Sequence, residues 1–71
     1  MRELLKISWL DEQGVKKPWI VIGCDQKDGY YYHEHTPRYH YLKSAHTLAD
    51  VIAYLWREVI DVDIPILIER I

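Results

Sequence analysis

TLADVIAYLWREVI, residues 47–60, is the stretch on which the reading of this chain turns. Leu48, Val51, Ile52, Leu55, Trp56, Val59 and Ile60 fall at i, i+3, i+4, i+7, i+8, i+11 and i+12. That spacing places them in one apolar stripe along a helix of 3.6 residues per turn. Ala49, Asp50, Ala53, Arg57, Glu58 and Asp61 take the other side. Thr47 is suited to the N-cap, and Asp50 stands at N3, where a capping box usually has Glu or Gln. An acidic side chain there also favours the positive end of the helix dipole. His46 precedes the cap, a position that capping geometry explains without a function. The pattern predicts a helix from Leu48 to Ile60, ended before Ile64-Pro65 because the residue before proline disfavours the α conformation. Burial contributes roughly 1.5–3 kcal/mol per large apolar side chain, so this stripe is the expected centre of the core.

A lone amphipathic helix needs a layer to cover it, and the first half of the chain reads as strands. Leu5, Ile7 and Trp9 alternate with Lys6 and Ser8 across Glu3 to Leu10, the period of a half-buried strand. Asp11-Glu12-Gln13-Gly14 is a turn signal, and Lys16 and Lys17 continue a polar connection. Pro18 then opens a second strand, Trp19 to Cys24, where a missing N–H is tolerated. Trp19-Ile20-Val21-Ile22 is apolar on both faces, which predicts a central strand or one beneath a subunit interface. Gly23 marks a bulge or a close backbone approach.

Asp28-Gly29 is a hairpin signal. Tyr30 to His35 and Tyr39 to Lys43 read as two strand pieces around Thr36-Pro37-Arg38, as a hairpin or one long bent strand, the hairpin being favoured. After the helix, Ile66-Leu67-Ile68 reads as a C-terminal strand. Its rival is a short second helix capped by Asp63, and the isoleucine content favours the strand. The expected fold is a single α+β domain over residues 1–71. It is a small antiparallel sheet of three to four strands with one amphipathic helix packed on one face, in the order βββ(β)αβ.

The composition sets bounds. A 71-residue chain buries only about 60% of its unfolded surface, and such scaffolds usually need a disulfide, a metal or a partner subunit. Cys24 is the only cysteine, so an intrachain disulfide is excluded, and the usage fits a reducing compartment. Cys24 ends an apolar strand and reads as a structural thiol. No signal-peptide run or span of ~20 apolar residues is present. The expectation is a cytoplasmic protein with no membrane contact. With 49% apolar residues, disorder is not expected. All nine aromatic residues are Trp or Tyr, six of them Tyr, which predicts rings with one wet edge.

The chemistry-bearing residues concentrate between Tyr30 and Tyr41. His33 and His35 share a strand face. A two-residue Pro37-Arg38 loop would set His35 opposite His40 and gather all three imidazoles, a candidate Zn²⁺ or Ni²⁺ site on His33, His35 and His40. A three-residue loop would pair Glu34 with His40 and split the histidines between faces. Pro-Arg suits neither favoured two-residue turn, so the splitting register is preferred. His, Glu and Tyr also serve acid–base chemistry, but no nucleophile elbow, phosphate-binding glycine loop or CxxC accompanies them. No catalytic residue is assigned and no cofactor is implied. Tyrosines interleaved with Arg38 and Lys43 admit a stacking surface for single-stranded nucleic acid, with Lys16 and Lys17 at its rim. The net charge of −2 weighs against that partner.

One helix covers one side of a sheet, yet Tyr30 and Tyr32 fall on the opposite face from Tyr31 and Tyr41. An aromatic face left uncovered marks an interaction site. The leading expectation is therefore a non-enzymatic protein-interaction or regulatory module, homodimeric through its sheet face or an edge strand. Its binding surface is expected on Tyr30, Tyr31, Tyr32, Arg38, Tyr39 and Tyr41, residue types that interfaces favour. The alternatives are a small nucleic-acid-binding domain and a histidine-cluster metal binder.

The apolar stripe yields the first prediction. Leu55→Asp should abolish the folded state, read as loss of a cooperative thermal transition by circular dichroism; a native melting curve would refute the assignment.

Overall fold

A computed structural model describes residues 2–34, 38–61 and 63–71. Its elements run β1 (Arg2–Leu10), β2 (Lys16–Asp25), β3 (Gly29–His33), β4 (His40–Tyr41), α1 (Leu48–Glu58) and β5 (Ile66–Arg70). The strands form one sheet in the order β4-β3-β2-β1-β5, every neighbouring pair antiparallel. This is the expected α+β arrangement, with the optional fourth strand present and the C-terminal segment a strand.

β2 lies in the middle of the sheet, as its two apolar faces require. Ile7 opposite Ile20, and Leu5 opposite Ile22, put two pairs of large side chains on the helix side. Val51 and Leu55 of α1, both fully buried, close over them, and Tyr32 and Ile60 complete the core. Two irregularities in the β1–β2 ladder increase the apolar content of that face. Leu4 is the extra residue between the pairs Glu3–Gly23 and Leu5–Ile22, and Trp19 is the extra residue between Pro18 and Ile20. A bulge sets two residues against one on the partner strand. Leu4 and Trp19 consequently pack on the core beside their neighbours Leu5 and Ile20.

The second bulge explains one departure from expectation. β2 begins at Lys16, and Pro18 lies within the strand, opposite Ser8, at the irregular step. A bulge is one of the few sheet positions that spare an N–H. Both turns form where their glycines stand. The Asp11 carboxylate accepts the amides of Gln13 and Val15, each at 2.9 Å, and Gly14 takes φ +77°. Asp25 accepts the Lys27 amide at 2.9 Å, and Gly29 takes φ +85°. Only glycine enters that region without steric cost.

Helix α1 starts at the predicted cap. Thr47 Oγ1 accepts the Asp50 amide at 3.2 Å, and Asp50 Oδ2 accepts the amides of Thr47 at 3.1 Å and His46 at 2.9 Å. The helix ends at Glu58, two residues before the predicted Ile60. The Val59 and Ile60 amides both donate to the Leu55 carbonyl, at 2.9 and 2.7 Å. Ile60 is thereby turned into the core from beyond the last turn.

The aromatic content of the helix is distributed otherwise than the stripe predicts. The stripe places Trp56 in the core, yet it is 40% exposed. Tyr54 instead packs on the core and meets the Tyr32 ring at a centroid distance of 6.2 Å. Residues 54 and 56 stand about 100° to either side of Leu55 on the helix. The helix leans its Tyr54 flank on β3, so its Trp56 flank turns away from that strand.

The cap carries a pH dependence. The His46 and Thr47 amides hold the Asp50 carboxyl below the ordinary value of 3.8. A depressed carboxylate contributes its stability in full above the unfolded value and loses it as pH falls through the folded one. Asp50→Ala should therefore melt below the wild type at neutral pH, and the gap should close as pH falls below 3.8, read by thermal melts across an acid series. A gap unchanged at the acid end would show that the carboxylate is not the source.

Candidate functional site

The sheet has a helix-covered face and a far face, and β3 supplies tyrosines to both. Tyr30 and Tyr32 point to the helix side, where both pack on the core. Tyr31 points to the far side, opposite Gly23 on β2 and Tyr41 on β4. It is nevertheless fully buried. The cause is local: Gly23 has no side chain, and the Tyr31 phenol lies across it. A Cβ at Gly23 would overlap the end of that phenol and press on the Arg2 carbonyl oxygen. Gly23 is thus the close approach anticipated from the sequence.

Over Tyr31 the far face builds its own small aromatic layer. The Tyr39 ring stacks on it at 4.7 Å with planes 6° apart, and Tyr41 tilts against it at 5.6 Å. His33 stacks on Tyr39 at 5.0 Å, and its Nε2 stands 3.5 Å from Glu3 Oε2. Tyr41 donates to Asp25 Oδ2 at 3.3 Å. Burial, then the neighbouring Tyr39 and Glu3, push the Tyr31 phenol above its usual range. Burial and the Asp25 carboxylate push Tyr41 the same way. The Tyr31 hydroxyl has no hydrogen-bond partner among the described residues. The layer is packed and uncharged at its centre, with Glu3 and Asp25 at its margin.

The six residues expected to form one binding surface are therefore divided. Tyr30 and Tyr32 lie on the helix side, and Tyr31, Tyr39 and Tyr41 on the far side, with Tyr31 and Tyr32 buried and Arg38 exposed. The histidines divide too. Tyr32 pairs with His40 and Tyr31 with Tyr41, two residues out of step with the expected Glu34–His40 pairing, because the connection between the strands is longer than three residues. His33 lies on the far face, and His40 stacks on Tyr32 at 4.8 Å on the helix side. His35 lies outside the described residues. No group of three His, Cys, Asp or Glu is placed to hold a metal among those described.

Other reactive side chains are engaged within the fold. Glu34 accepts from Trp19 Nε1 at 3.2 Å beside a small cleft of about 140 Å³. Lys16 pairs with Glu69 at 3.1 Å. Cys24 is half-buried on β2 and free. A shallow groove of about 680 Å³ lies between the β1–β2 turn and the approach to β5, bounded by Trp9, Leu10, Asp11, Ile64 and Pro65. Among the described residues no histidine, serine or cysteine lines it.

The sequence reading allows an edge strand as the contact but names none of its residues; the fold presents such an edge on the outer side of β5. Among the described residues this strand pairs with β1 alone. The Leu10 amide donates to the Pro65 carbonyl at 2.9 Å, and Ile71 donates to the Leu4 carbonyl at 3.1 Å. Antiparallel strands turn alternate residues' N–H and C=O groups to opposite sides. Residues 65, 67, 69 and 71 thus face β1, and Ile66, Ile68 and Arg70 direct their backbone groups outward. Large apolar side chains surround this edge: Leu67 is 39%, Ile68 38% and Ile71 62% exposed. β5 contains no proline or bulge, two of the usual devices that blunt an edge, and its charges, Glu69 and Arg70, stand at one end, with Glu69 held by Lys16. The available signal was the β-branched segment Ile66-Leu67-Ile68 after the helix, which reads as a strand. Which backbone groups it leaves free depends on a register that only the fold supplies.

Comparison of the chain with protein-family models, with curated proteins and with solved structures finds no match. Among the described residues no helix is long and apolar enough to cross a membrane.

The aromatic layer makes a paired prediction. Gly23→Ala should lose about 1–3 kcal/mol, the usual cost of overpacking. Tyr31→Phe should lose no stability, because it removes only a buried hydroxyl without a partner. Chemical denaturation of both variants checks this; an undisturbed Gly23→Ala would mean that the phenol does not lie across the glycine.

Proposed function

We propose that this chain is a non-enzymatic protein-interaction module of the cytoplasm, whose contact is the β5 side of the sheet. The observation that carries the reading is the outward-facing backbone of Ile66, Ile68 and Arg70, set among the exposed Leu67, Ile68 and Ile71. An open edge with apolar flanks is a template for strand addition, in which main-chain hydrogen bonds supply affinity and alternate side chains supply specificity. Trp56, exposed on the helix flank turned away from β3, adds a side chain of the kind that anchors interfaces.

Three further observations support this reading. The far-face tyrosines are stacked on one another, so their rings serve the fold before any ligand. The reactive side chains Glu34, Asp25 and Asp11 are each committed to a hydrogen bond within the chain. An unpaired Cys24 suits a reducing compartment.

Affinity capture from native lysate, with the chain as bait, tests the reading against an Ile68→Lys bait of unchanged circular dichroism. Proteins held by the wild type and lost from the variant are expected. Identical captures by the two baits would sink it.

A further inference from the structure

We infer that the occupant of the β5 edge is a second copy of this chain, joined about a two-fold axis centred on Ile68, so that two five-stranded sheets continue as one of ten strands. The inference rests on the interaction reading above and names its partner and register.

The argument begins with the free backbone groups. In an antiparallel pair, residues that exchange both hydrogen bonds face each other. With the two-fold axis at Ile68, Ile66 of one copy meets Arg70 of the other, Ile68 meets Ile68, and Arg70 meets Ile66. All three outward-facing residues are then matched, giving about six main-chain hydrogen bonds. Centring one residue later, on Glu69, leaves Ile66 unmatched and sets Glu69 against Glu69 on the same face, an unfavourable like-charge pair. Centring on Leu67 takes the outward groups of Arg70 past Ile66 to residue 64, beyond the strand's first residue. The Ile68 register alone satisfies the whole strand and opposes no like charges.

The side chains agree with that register. Ile68 lies opposite Ile7 on the helix side of the sheet, so the self-pair buries two β-branched side chains. The Arg70 stem can lie over Ile66 while its guanidinium stays wet. On the far face Leu67 comes opposite Glu69, whose carboxylate is already held by Lys16. A two-fold contact closes on itself and leaves no further edge of the same kind. The other edge of the sheet, β4, is only two residues long and offers a head-to-tail partner little to pair with. A second copy also supplies what a 71-residue chain with one cysteine lacks, a staple from outside its own core.

The test uses the purified chain alone. Light scattering across a concentration series should give twice the 8.6 kDa chain mass, falling on dilution. In the unmodified chain, the amides of Ile66, Ile68 and Arg70 should be protected from hydrogen exchange in the concentrated sample and exposed in the dilute one. In a Cys24→Ser background, Ile68→Cys should oxidise to a covalent dimer, because facing hydrogen-bonded residues stand about 5.5 Å apart, within disulfide reach. Glu69→Cys should not, because its two copies would stand roughly 8 Å apart. A strict monomer, or a dimer in which Glu69→Cys cross-links and Ile68→Cys does not, overturns the proposal. A monomer that still captures another protein through β5 overturns the dimer and leaves the interaction reading standing; a monomer that captures none overturns both.

Discussion

The contact of Val51 and Leu55 with the isoleucine pairs of β1 and β2 is the constraint from which the remainder of the structure follows. Those two helical side chains are buried because Ile7, Ile20 and Ile22 present a continuous apolar floor. The floor exists only while β1 and β2 hold their register, since a slip by one residue would turn every apolar side chain to the other face. The two bulges at Leu4 and Trp19 keep the alternation in phase at both ends of the ladder and add a further apolar side chain each. A chain this short has few ways to enlarge its core, and placing successive residues on one side is one of them.

The far face solves a different problem. It has no helix to cover it, and a tyrosine on β3 points into it. Gly23 opens a recess in the central strand, Tyr31 fills it, and Tyr39, His33 and Tyr41 close over the top. The result is a second, thinner packed layer made from side chains of the sheet and its connection. Its buried phenol gains contact area and leaves an unpartnered hydroxyl, a sign that packing of rings dominates over polar satisfaction there.

Much of the fold was legible in the residues because each element carried an independent signal. The helix had its period and its Thr47–Asp50 cap; the turns had Gly14 and Gly29; the central strand had apolar residues on both faces. What escaped was set by tertiary pairing. Pro18 marks a strand start in isolation, but pairing with β1 carries the strand back to Lys16. Trp56 and Tyr54 stand symmetrically about Leu55, and only the lean of the helix toward β3 decides which is covered. The candidate site was less legible still. The eye is drawn to the dense Tyr and His run, whose rings pack largely on one another. The open edge lies in a plain apolar segment whose significance depends on which backbone groups β1 leaves free.

The pairing of β1 with β5 joins the two extremities of the described chain, Leu4 to Ile71. β5 follows every other described strand in chain order, yet the strand it pairs with, β1, precedes them all. Without Ile66–Arg70 the outer side of β1 would have no partner strand among the described residues. Of the strand pairings in the sheet, this one closes the longest stretch of chain and carries the largest loop-closure entropy. β5 therefore both seals one border of the sheet and creates the next.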